Sequence, residues 1–141
     1  MTGYRCKFFS IKELVPPTIY AARGDAAWEL LRPDALRTLD LLREKFGVCT
    51  VNNWSIGGTY KESGLRDFST STGAKYSQHK YGGAFDCKFK SATPAEVAAY
   101  VLKHPNEVPE LTTIEDVKDT PTWFHFDTRN HAGMYILTVK P

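Results

Sequence analysis

Ala84-Phe85-Asp86-Cys87-Lys88-Phe89 is the stretch on which the fold turns. Read as a strand, it sends Phe85, Cys87 and Phe89 to one face and Ala84, Asp86 and Lys88 to the other. Downstream, Trp123-Phe124-His125-Phe126-Asp127 repeats the pattern, with Phe124 and Phe126 towards a core and His125 and Asp127 on the opposite face. If the two strands are neighbours in one sheet, their polar faces form a common surface.

Working outward, residues 48–52 read as a strand, as do residues 112–117 and 134–139. Arg32-Pro33 opens a helix, with Pro33 at the first helical position. Leu31, Ala35, Leu39, Leu42 and Phe46 then recur at spacings of three and four, and Gly47 terminates the run. Thr93-Pro94-Ala95-Glu96 is a capping box opening a second helix, which carries Val97, Val101 and Leu102 and ends near His104-Pro105. Ser10-Ile11-Lys12-Glu13 has the same form and predicts a short helix that Pro16-Pro17 stops. Residues 55–83 are rich in Gly, Ser and Thr without periodicity, and a loop of that length inside a domain points to function. The expected class is α+β: N-terminal helices packed on a small antiparallel sheet, in one domain covering residues 1–141.

Composition narrows the function classes. The chain has 141 residues, 42% hydrophobic and 24% charged, enough for one core. Eighteen basic against sixteen acidic side chains leave a net charge of +2, which argues against a nucleic-acid binder. No apolar run approaches the ~18 residues of a membrane span, and none follows the N-terminus as a secretory signal would. The expectation is therefore a monomer made in the cytosol, with neither membrane nor nucleic acid as partner. Cys6, Cys49 and Cys87 are odd in number and widely spaced, so they read as reduced thiols. Cys87 follows Asp86, but alternation turns it to the core, so it is not counted as a ligand.

His79, at the end of the Gly-bearing loop Ser77-Gln78-His79-Lys80-Tyr81-Gly82-Gly83, can join Asp86 and His125 above the sheet. Two imidazoles and a carboxylate suit a catalytic zinc ion, with a fourth position left open. His131 follows closely enough to stand behind the ligands, whereas His104 reads as a surface residue.

The spacing S-x-H-x-x-G-x-A-x-D at Ser77 to Asp86, followed by W-x-H-x-D at Trp123 to Asp127, resembles the M15 family of zinc peptidases. That family includes D-alanyl-D-alanine carboxypeptidases and phage L-alanyl-D-glutamate endolysins, and shares its fold with the hedgehog signalling domain. Glu62-Ser63-Gly64-Leu65-Arg66 is similar to its S-G-[YF]-R segment, and Phe9-Ser10-Ile11-Lys12-Glu13-Leu14 to its usual start, so the likeness covers roughly residues 8–130. The resemblance implies zinc ligands His79, Asp86 and His125, and an Arg66 that holds a substrate carbonyl or carboxylate. A guanidinium fork suits that task. Ser77, Tyr81 and Trp123 are the further candidates for lining the substrate cleft.

One departure stands out. Many members place a carboxylate three residues before the second histidine as general base, where this chain has Thr122. Hedgehog-like relatives place an acid six residues before it, which selects Asp119, with Glu115, Asp116 and Asp127 as alternatives. The resemblance implies a zinc-dependent enzyme that cuts peptidoglycan peptides, as a carboxypeptidase or an endopeptidase of phage or prophage endolysin type. The alternative is a non-catalytic zinc-binding virion or interaction module of the same fold.

Overall fold

A computed structural model describes residues 3–141. Among these residues are three α-helices and five strands: α1 (Pro17–Arg23), α2 (Pro33–Phe46), β1 (Cys49–Thr50), β2 (Ala84–Phe89), α3 (Pro94–Lys103), β3 (Thr113–Glu115), β4 (Phe124–Asp127) and β5 (Leu137–Val139). The α+β class follows, with one five-stranded sheet in the order β1-β2-β4-β3-β5.

The sheet is mixed, which corrects the antiparallel expectation. β1, β2, β4 and β3 pair antiparallel, but β5 runs parallel to β3. The cause is topological. After β4 the chain reverses, as in a hairpin, yet β5 settles beyond β3 instead of beside β4, and so shares the direction of β3.

Local chemistry sets the helices. Pro33 occupies the first turn of α2, Asp34 lies at its positive end and Arg43 and Lys45 at its negative end. Gly47 ends it at φ 85°, a conformation that other residues adopt at a cost. In α3 the capping box is reciprocal: Thr93 Oγ1 accepts from the Glu96 amide at 3.1 Å, and Glu96 Oε1 accepts from the Thr93 amide at 2.9 Å. Ser10 and Glu13 interact similarly, but Ile11–Glu13 closes only a 3₁₀ turn. Pro17 does not merely stop that turn; it opens α1 from the first helical position.

Both long helices cover one face of the sheet. Phe85, Cys87, Phe124 and Phe126 are fully buried there, packed with Leu36, Leu39 and Leu42 of α2 and Val97 and Val101 of α3. Each such side chain contributes about 1.5–3 kcal/mol by leaving water. The opposite face belongs to the candidate site, and residues 55–83 wrap its rim. That segment is pinned, not loose: the Leu65 amide donates to Leu14 O at 2.8 Å and the Asp86 amide to Ser63 O at 2.7 Å. Gly64 permits the first approach, since a Cβ there would sit 2.2 Å from the Leu14 carbonyl oxygen. No helix among the described residues is long and apolar enough to cross a membrane.

Candidate metal centre

The register of β2 against β4 pairs Asp86 directly with His125. Directly opposed residues of an antiparallel pair share a face, so alternation alone brings these two side chains together. His79 arrives from the loop. It lies in the 3₁₀ turn Gln78–Tyr81, whose start is held by Ser77 Oγ accepting the His79 amide at 3.2 Å. Ligand atoms of His79, Asp86 and His125 all lie within 4.8 Å of one another, and all three residues are buried.

The hydrogen bonds assign the ring nitrogens. Gly64 O, 2.9 Å from His79 Nδ1, can only accept, so His79 carries its proton on Nδ1. Burial holds the pKa of His79 below the ordinary histidine value, outweighing Asp86, which keeps the ring neutral. Its Nε2 therefore presents a lone pair to Asp86 Oδ1, 3.3 Å away. Two acceptors facing each other at that distance repel unless a cation lies between them.

His125 Nε2 donates to Asp127 Oδ2 at 2.8 Å, which leaves Nδ1 aimed at Asp86 Oδ1 at 2.9 Å. Burial works against a proton on His125, but the hydrogen bonds to Asp127 and Asp86 outweigh it and raise the pKa to about 9. A bound cation would replace that Nδ1 proton. Burial works against ionised Asp86 too, yet the hydrogen bond from His125 Nδ1 and the charge on that ring hold its carboxyl well below the usual range. For tetrahedral zinc at ~2.05 Å from nitrogen and oxygen, neighbouring ligands stand about 3.3 Å apart. The three donors could hold a metal ion, and the two spacings to Asp86 Oδ1, 3.3 and 2.9 Å, stand near that value.

A fixed layer lies behind the ligands. Asp127 is fully buried and receives both Nε and Nη2 of Arg129, at 2.8 and 2.7 Å. Although burial alone would raise its pKa, Arg129 and His125 lower it to about 2. Arg66 donates from Nε to Glu62 O at 2.7 Å and from Nη2 to Asp86 Oδ2 at 3.3 Å. Above the cluster opens a cleft of about 310 Å³, bordered among others by Arg66, Ser77, Glu115, Trp123 and Arg129.

Among the residues singled out from sequence, His79, Asp86, His125, Arg66, Ser77 and Trp123 meet at this cleft. Tyr81 does not. It is exposed and does not border the cleft, its ring packed edge-on against Phe68 at 5.5 Å. Asp119 is also elsewhere, exposed in a turn in which its amide donates to Asp116 O at 2.9 Å. Asp116 accepts from the Lys118 amide in the same turn, and Asp127 is occupied with His125 and Arg129. Glu115 is the acid at the cleft, with Oε1 3.7 Å from His125 Nδ1. Burial pushes its pKa up, and the charges of Asp86 and Asp127 add to the shift. His131 bonds Thr112 O at 2.9 Å, and His104 faces Glu107 on the surface.

Sequence reasoning missed Arg129 and Lys140, which also border the cleft. The signal for Arg129 was its position, two residues past Asp127 and four past His125. Comparison with known protein families, curated proteins and solved structures finds no match to this chain.

Proposed function

We propose that this protein is a zinc-dependent peptidase that hydrolyses an amide bond in peptidoglycan stem peptides or crosslinks, in the manner of a phage or prophage endolysin. The observation that carries the metal reading is the bare Nε2 of His79 facing Asp86 Oδ1, beside Nδ1 of His125. The substrate class rests on the resemblance to M15 peptidases, whose motif spacing the three ligands follow.

A zinc ion held by His79, Asp86 and His125 would supply a Lewis acid, able to polarise a carbonyl and to lower the pKa of water. The remaining work falls to the chain. Glu115 is the general base, because it borders the cleft and its raised pKa suits receiving a proton and passing it to the leaving amine. Arg66, clamped by Glu62 O and Asp86, offers its remaining N–H groups to a substrate carbonyl or carboxylate. Asp127 and Arg129 orient His125, and the Gly64 carbonyl orients His79.

Clearing of a purified cell-wall suspension, followed by turbidity with and without a chelator, tests the reading. Clearing that the chelator stops and zinc restores is expected. Zinc binding without hydrolysis of walls or isolated stem peptides would instead establish the second reading, a non-catalytic zinc module, which Thr122 at the family's usual base position favours.

A further inference from the structure

Three cationic side chains border the cleft, and the proposed hydrolysis uses only one of them on the substrate. They are Arg66, Arg129 and Lys140, against Asp86 and Glu115 at the cleft and Asp127 behind Arg129. Two of these cations are engaged, Arg66 with Asp86 and Arg129 with Asp127. Lys140 is exposed, and no ion pair among the described residues includes it. A divalent cation at the three ligands would leave the cleft with a clear positive surplus.

Sheet order fixes where Lys140 stands. It follows β5, which lies two strands from β4 and so from His125, with Glu115 on the strand between. At ~4.8 Å per strand spacing, Lys140 is roughly 10 Å across the sheet from the strand position of His125. About three extended residues, at ~3.4 Å each, span that distance.

We infer that Lys140 forms an anion subsite of the cleft and selects peptides carrying a carboxylate about three residues from the scissile amide, on the β5 side. The inference rests on the peptidase reading, because it takes the cleft as the seat of an extended peptide. Lys140 is a specificity residue here; it touches none of the ligands.

The test uses alanine octapeptides of mixed L and D residues, each carrying one Glu or one Gln at a stepped position. Binding to zinc-loaded Glu115→Gln protein is measured by calorimetry, and hydrolysis by the unaltered protein is followed by mass spectrometry. At one position the Glu peptide should bind roughly two- to fivefold more tightly than its Gln twin, the scale of a rim charge pair. Raising salt from about 0.05 to 0.5 M should shrink that preference, and Lys140→Met should abolish it with zinc content unchanged. Equal affinity at every position, no binding of either peptide, or a preference that survives Lys140→Met would overturn the subsite. Preferential binding without any hydrolysis would count against the peptidase reading and leave the subsite standing. Hydrolysis indifferent to charge would do the reverse.

Discussion

The two faces of the β2–β4 pair are built from alternate residues of the same ten positions, yet they obey opposite physics. On one face Phe85, Cys87, Phe124 and Phe126 lie fully buried in one apolar cluster, and burial stabilises the domain. On the other, Asp86, His125 and Asp127 are also buried, but as ionisable groups whose desolvation is unfavourable unless each is paired. The first face holds the fold together. The second gives up stability to hold donors in place, and the repulsion between His79 Nε2 and Asp86 Oδ1 is the mark of that sacrifice.

Substitutions on the two faces should therefore separate folding from metal binding. Phe126→Ala empties a fully buried position and should cost about 3–5 kcal/mol, read as a lowered midpoint in urea unfolding. His125→Ala, one residue away, should leave a cooperatively unfolding domain that has lost zinc and activity. If His125→Ala unfolded the chain as badly as Phe126→Ala, the two faces would not be distinct.

The next largest effect concerns the base. Glu115→Gln should lower kcat by ~10²–10⁴-fold with zinc retained, whereas Asp119→Asn should behave as the unaltered protein does. Full activity in Glu115→Gln would remove that residue from the chemistry. Asp127→Asn addresses the layer behind the ligands and should weaken zinc binding by ~10–100-fold in competition with a chromophoric chelator. Arg66→Lys should lower kcat/KM while zinc content holds, since a point charge cannot reproduce the fork of a guanidinium.

A further effect is one of pH. His125 has a folded pKa near 9, above its ordinary value, so its protonated form stabilises the zinc-free protein. That contribution is complete below pH ~6.5 and is lost as pH rises through 9. The melting temperature of zinc-free protein should fall across that window. Zinc-loaded protein, in which the Nδ1 proton is displaced, should not follow it, and its zinc affinity should rise with pH.

How far the sequence foretold this arrangement depended on the range of the interaction. β2 and β4 were legible because alternation is local, and once the two pair, the meeting of Asp86 with His125 follows from the shared face. The capping box of α3 and the Pro33-to-Gly47 frame of α2 were local as well. The parallel placement of β5 was not, because its three residues carry no mark of which edge they join. For the same reason Glu115 was no more than an alternative to Asp119. Only the pairing of β3 with β4 brings it to the cleft, while the resemblance to hedgehog-like relatives favoured an acid that stays in an exposed turn. Tyr81 failed differently: it adjoins the ligand loop, but the 3₁₀ turn directs it away from His79, towards Phe68.

Zinc content tests the central claim most directly. Protein purified without chelator, or resupplied with zinc and dialysed, should carry one equivalent per chain by elemental analysis, and His79→Ala, Asp86→Ala and His125→Ala should each lose it. Less than a tenth of an equivalent in the unaltered, folded protein after resupply would contradict the metal centre and the peptidase reading built on it.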